Sequence, residues 1–183
     1  MVMYCLTGRA GAGKSVACDV ARGLGHPVVS MGDIVRWRAR ESLGDAATSA
    51  EILAWADEQR LAHGQGIIAE YTADRIEERY DASDVVVDGL RTMDELAVFE
   101  RRFGDVTLVL VMAPFEERLA RLRSRGRDGE DAFTAEDLRE RDRQEEAWGL
   151  GELIDQSAPD VVIANDGSIE EFESAVKSVL TSR

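Results

Sequence analysis

Residues 2–6 form a short apolar run that leads straight into Gly8-Arg-Ala-Gly-Ala-Gly-Lys14-Ser15, and apolar residues then return at helical spacing at Val16, Val20 and Leu24. This order constrains the fold more than any other feature of the chain. A G-x-x-x-x-G-K-[ST] pattern cradles phosphate when a strand delivers the loop and a helix opens from it, and both conditions hold. Glycines let successive N–H groups curl toward one concavity, an anion nest. The helix N-terminus adds its partial positive charge at the same point. Lys14 is placed to reach the β and γ phosphates, and the Ser15 hydroxyl to ligate Mg²⁺. The pattern therefore assigns ATP contact to Gly8, Arg9, Ala10, Gly11, Ala12, Gly13, Lys14, Ser15 and Val16, with ATP and Mg²⁺ as the cofactors.

The rest of the chain alternates between the same two kinds of element. The first helix spans 13–24 and stops at Gly25, a good residue just past a helix end. Residues 27–30 read as a strand and 33–43 as a helix. Thr48-Ser-Ala-Glu51 is a capping-box start for a helix to about residue 63, and a further helix covers about 67–80. Residues 84–88 (DVVVD) are the most strand-like segment. Met93–Phe103 is helical, Val106–Met112 a continuously apolar strand, and Phe115–Arg125 an arginine-laden helix. A polar loop at 126–131 follows, then a return helix capped by Thr134 and Asp137. Residues 161–164 form the last strand, and Ser168 with Glu171 caps the last helix. Uninterrupted apolar strands imply burial on both faces, hence a three-layer α/β/α sandwich on a five-stranded parallel sheet with right-handed crossovers. One domain is expected, with core segments 1–30, 81–115 and 156–183, a helical region at about 31–80 and a lid at about 121–143.

Composition narrows the partners. The chain carries 36 acidic against 22 basic residues, a net charge of −14, and only Lys14 and Lys177 are lysines. Such a surface repels nucleic acid phosphates, so no nucleic acid partner is expected. A solvated acidic shell almost without lysine fits a salt-loving host, or simply an acidic protein from a GC-rich genome. No apolar run reaches the roughly 18 residues of a membrane span, and the chain enters its first strand without a basic segment or small-residue cleavage site. A cytoplasmic protein without a membrane partner is the expectation, as a monomer or small homo-oligomer. Cys5 and Cys18 read as buried thiols. His26 and His63 are isolated and read as surface or helix-end residues.

Three further segments carry chemistry. Met31-Gly-Asp-Ile-Val-Arg36 follows the second strand, and an arginine early in such a helix can point at the sheet's carboxyl edge, where parallel α/β folds hold ligands. Asp88-Gly-Leu-Arg91 follows the third strand, with a carboxylate for metal and a guanidinium suited to a phosphate dianion. Arg118, Arg121, Arg123, Arg125 and Arg127 precede the polar loop, and Arg139, Arg141 and Arg143 follow it. In that order and spacing, over nearly the whole chain, the sequence resembles nucleoside monophosphate kinases of the adenylate kinase type and dephospho-CoA kinases. It is similar as well to a group of archaeal P-loop kinases whose acceptor is not settled.

The resemblance implies transfer of the ATP γ-phosphate to a small, phosphate-bearing acceptor such as a nucleoside monophosphate. It implies that Arg36 and Arg91 grip the acceptor phosphate, that Asp88 and Ser15 hold the metal, and that lid arginines, of which Arg121, Arg125 and Arg141 are the best placed, close on the transferring group beside Lys14. It also lays the adenine against residues 164–168, with Asn165 in contact. Two departures matter. Met31 stands where adenylate kinases have a threonine of the base site, and Glu95 is nearest to their base-reading glutamine. A carboxylate accepts hydrogen bonds only, so Glu95 suits an acceptor's amino or imino donor rather than an adenine edge. The lid lacks the cysteines of zinc-bearing lids, and no structural zinc is expected. Three readings stay open: this phosphotransferase; a dephospho-CoA kinase, with Asp33 as base for a hydroxyl acceptor; and an ATP-hydrolysing switch protein with no small acceptor. A GTPase is disfavoured, because the chain has no Asn-Lys-x-Asp segment.

Overall fold

The computed structural model describes residues 2–80 and 84–182, with the backbone alone at Arg127 and Asp128. Residues 1, 81–83 and 183, which belong to the expected core segments, lie outside the described residues. Five strands, β1 (Met3–Thr7), β2 (Val28–Ser30), β3 (Val85–Asp88), β4 (Val106–Met112) and β5 (Val161–Ala164), form one parallel sheet in the order β2-β3-β1-β4-β5. The chain runs outward to β2, returns to β3 beside β1, then crosses to β4 and β5. That reversal puts the end of β1 at the switch point, where open α/β sheets leave a crevice.

The two-residue period of the strands divides the core in two. Met3, Cys5, Val85, Val87 and Leu108 face one way. There they pack against α2 (Met31–Leu43), α4 (Ile67–Arg79), α5 (Met93–Phe103) and the short α8 (Leu150–Gln156). Tyr4, Leu6, Val86, Val109, Val111 and Ile163 face the other way, onto α1 (Lys14–Gly23) and α9 (Ile169–Thr181). Burial on both faces holds at the sheet centre and fails at its edge, where Val162 of β5 is 55% exposed. α3 (Ser49–His63) lies outside α2 and α4 on a small core of Ala39, Ile52, Trp55 and Ala56. α6 (Phe115–Arg125) and α7 (Ala135–Ala147) close over the loop after β1, burying Ala10 with Leu119, Leu122 and Leu138.

Local chemistry sets the helix ends. α1 ends in a Schellman motif, with Gly25 N–H donating to Arg22 and His26 N–H to Ala21. Capping boxes start α3, α5, α7 and α9. α2 starts at Met31, two residues earlier than expected, because the Ser30 hydroxyl accepts from Asp33 N–H. The expected polar loop 126–131 is partly ordered as a 3₁₀ helix, Arg127–Ala132. Both cysteines are buried free thiols. Among the described residues no helix is long and apolar enough to cross a membrane.

Candidate active site

Strand register builds the site. In the parallel ladders Leu6 and Ser30 both pair with Asp88, so the ends of β1, β3 and β2 lie side by side at one carboxyl edge. Adjacent strands are about 4.8 Å apart. The phosphate loop, the Asp88–Arg91 turn and the start of α2 therefore leave the sheet as neighbours. Thr7 and Leu90 are joined across this edge by a buried hydrogen bond of 2.9 Å.

The loop needs its glycines for space as well as curl. Gly8 has φ +136°, and a Cβ there would run into the Val111 carbonyl; one on Gly13, at φ +117°, would strike the Asn165 amide. Lys14 folds back on the loop, its ammonium donating to the carbonyls of Gly8 and Arg9. Burial pushes its pKa down from the ordinary lysine value, while the charges of Asp88 and Glu145 pull the other way without restoring it.

α6 and α7 hold the loop from outside. The Ala10 N–H donates to Glu145 Oε2 at 3.1 Å, and the Ala10 carbonyl accepts from Arg118 Nη1 at 3.2 Å. Arg118 is itself bidentate to Asp142, at 2.8 and 2.7 Å, and Arg9 pairs with Glu146. The sequence alone gives no role to Asp142 or Glu145 and counts Arg118 only among the arginines before the polar loop. The partner of Arg118 and Glu145, Ala10, lies more than a hundred residues away in sequence, beyond any local pattern.

At the end of β3, Oδ1 of Asp88 is buried with no hydrogen-bond partner among the described residues. A buried carboxylate oxygen left in that state calls for a cation or ordered water, which fits a metal beside the Ser15 hydroxyl. Arg36 is ion-paired with Asp33, and both are largely exposed on an open depression along α2 that also takes in Trp37 and Arg40. The Arg91 side chain donates to the Gly89 carbonyl at 3.4 Å and lies 5.5 Å from the ring centre of Trp148, a half-exposed residue following α7.

Two expected ligand contacts are turned inward. Glu95 is buried, and its Oε2 accepts from the backbone N–H groups of Arg91 and Thr92 at 2.9 and 3.3 Å. It completes the capping box of α5 with Thr92 instead of offering a carboxylate to an acceptor. Burial raises its pKa against the pull of those hydrogen bonds and of Arg91. The signal was in the sequence: Thr92-Met-Asp-Glu95 is itself an [ST]-x-x-E cap. Asn165 is buried too, its amide donating to the Ala12 carbonyl at 2.8 Å, so it braces the loop instead of facing outward toward a base.

The arginines of α6 and α7 are held by carboxylates and carbonyls, some of them shared. Arg121 Nη2 donates to Glu117 and to the Asn165 carbonyl at 2.9 Å, and Arg123 Nε to the Phe133 carbonyl at 2.6 Å. Arg139 and Arg143 draw on Glu136 and Glu140. Arg125 and Arg141 meet at Glu130. The side chain of Arg127 is outside the described residues.

Known proteins resemble the chain over most of its length. A family model described as an AAA domain matches residues 7–139, from the end of β1 into α7. A UPF0200 protein of Hyperthermus butylicus is 42% identical over 180 residues, covering 98% of this chain and 94% of its own. One from Halobacterium salinarum is 39% identical over 177 residues, covering 96% and 90%. Among solved structures, shikimate kinase from Bacteroides thetaiotaomicron aligns with a TM-score of 0.58 at 18% identity, over 99% of both chains, a likeness of fold. The architecture is that of a P-loop kinase.

Proposed function

The chain belongs to the AAA-domain family and to the UPF0200 proteins, and on that premise we propose that it transfers the γ-phosphate of ATP to a small acceptor that already carries phosphate. The observation that carries this reading is the shared carboxyl edge: the register Ser30–Asp88–Leu6 brings Arg36, Asp88 with Arg91, and the phosphate loop out of the sheet as neighbours. In this reading Gly8–Ser15 cradles ATP, residues 31–80 form the acceptor side and 121–143 the lid.

Phosphoryl transfer of this kind rests on positioning and charge more than on a base. Lys14 neutralises charge on the transferring group, and Arg36 and Arg91 orient the acceptor phosphate. Arg121, Arg125 and Arg141 bring positive charge over the equatorial oxygens as α6 and α7 exclude water. Ser15 and Asp88 would hold Mg²⁺, which supplies charge neutralisation at the β and γ oxygens when bound. The partnerless Asp88 oxygen supports that assignment.

A second reading has one observation in its favour. Asp33 is mostly exposed at the same edge and already held by Arg36, which suits a carboxylate receiving the proton of a hydroxyl acceptor, as a dephospho-CoA kinase needs. An ADP-release assay separates these readings, run with nucleoside monophosphates, dephospho-CoA and shikimate against a no-acceptor control. Release with nucleoside monophosphates and not with dephospho-CoA or shikimate is expected, abolished in Lys14→Ala. Arg36→Ala and Arg91→Ala should each raise the acceptor KM about tenfold or more, with the KM for ATP within about twofold of wild type. Unchanged acceptor KM in both variants sinks the assignment, and ADP release without acceptor favours a hydrolysing switch.

A further inference from the structure

Glu130 lies in the 3₁₀ helix between α6 and α7, and only 3% of it is exposed. A carboxylate taken out of water to that degree must be matched by cations and hydrogen bonds. Here the match comes from both lid helices. Arg125, the last residue of α6, grips it bidentately, Nε to Oε2 at 2.9 Å and Nη2 to Oε1, and Arg141 of α7 donates Nη1 to the same Oε1 at 2.7 Å. Burial raises the Glu130 pKa, but the hydrogen bonds and charges of the two arginines outweigh it and hold the carboxyl below the usual range, so it is ionised at neutral pH.

The stoichiometry sets this cluster apart. Arg139 and Arg143 share two carboxylates, Glu136 and Glu140, whereas Arg125 and Arg141 share one. The cluster therefore keeps one net positive charge. Both arginine side chains stay about a third exposed, at 31% and 37%. Arg125 Nη1 and Arg141 Nη2 have no hydrogen-bond partner among the described residues. Two guanidinium groups brought together without an anion repel strongly at low dielectric. With Glu130 between them they form one preorganised, doubly forked donor set on the lid.

We propose that Glu130 is the positioning residue of the lid, gathering Arg125 and Arg141 from facing helices into a single clamp for the γ-phosphate. The proposal rests on the lid reading given above. Its test compares the affinity of Mg·AMP-PNP with that of Mg·ADP by calorimetry, a ratio that reports γ-phosphate contact without needing the acceptor. Arg125→Ala and Arg141→Ala should each cut the preference for the triphosphate analogue about tenfold, the scale of a lost charge-assisted contact. Glu130→Gln, of the same shape but neutral, should cut it by a similar factor while Mg·ADP affinity stays within about twofold, which loss of a structural contact alone would not produce. Glu130→Asp, which keeps the charge on a shorter arm, should recover part of the preference, and it serves as the folded reference if the glutamine variant proves unstable. A wild-type ratio in Glu130→Gln, with both arginine variants impaired, overturns the positioning role. A stronger triphosphate preference in Glu130→Gln also overturns it, since Glu130 would then compete with the phosphate. If both arginine variants keep the preference, the lid reading itself fails, and Glu130 falls with it.

Discussion

Lys14 is one of two lysines in 183 residues, and its ammonium is folded onto the carbonyls of its own loop. Burial lowers its pKa in the free protein, despite Asp88 and Glu145 nearby. A polyphosphate entering the nest supplies the anionic partner that the buried ammonium lacks, and so raises it again. A group depressed when free and restored in the complex takes up a proton on binding, at pH values between the two pKa values. Mg·ADP binding should accordingly take up protons at alkaline pH just below the ordinary lysine range, read from calorimetric titrations in two buffers of different ionisation enthalpy. No uptake there would contradict this account of Lys14. At this scale the strand, glycine-rich loop and helix of residues 3–23 were legible, because their chemistry is local. Glu95 reads as an acceptor contact from sequence, and the structure engages it in the α5 cap whose signature the sequence also carries. A carboxylate three residues after a threonine satisfies a backbone before it can serve a ligand. Glu130 and Asp142 could not be found by pattern, since what defines them is a partner on another element.

Among elements, the turn from β3 into α5 shows how a cap can position a functional side chain. Glu95 ties down the backbone N–H groups of Arg91 and Thr92, and the Thr92 hydroxyl accepts from Glu95 N–H at 3.1 Å. Glu95→Ala should cost about 1–2 kcal/mol, the scale of a lost cap with buried donors left unmet, seen as a lower Tm. Glu95→Gln, which keeps an acceptor oxygen, should lose less. On the proposed function, neither change should alter the preference among acceptors, and a switch in preference would return Glu95 to the proposed acceptor contacts. Strand and helix order was readable from periodicity, and the ends of α3, α7 and α9 from their capping residues. α8 was not. It has seven residues, a glycine before it and another inside it, no side-chain cap, and it is held by burying Leu150 and Leu153 in the core beneath the sheet. Tertiary packing, which leaves no local trace, made that helix.

For the whole molecule, 36 acidic residues against 22 basic ones leave a net charge of −14, and the ion pairs relieve it unevenly. Arg102 of α5 meets Glu70, Asp74 and Glu77 of α4 at once, and Arg101 joins it at Glu70, two cations set among three carboxylates. Self-repulsion of this kind weakens a compact state, and salt screens it over a distance that shrinks from about 10 Å at 0.1 M to 3 Å at 1 M. Raising KCl from 0.1 to about 2 M should raise the Tm, and a flat melting series would remove the case for a salt-adapted surface. The three-layer fold was legible from alternation alone. The grip of α6 and α7 on the phosphate loop was not, and it has a consequence for how nucleotide is met. Both backbone groups of Ala10 are already engaged, by Glu145 and by Arg118. Part of the loop's conformational entropy is therefore surrendered during folding, and a phosphate ligand would meet a receptor with that much less left to organise.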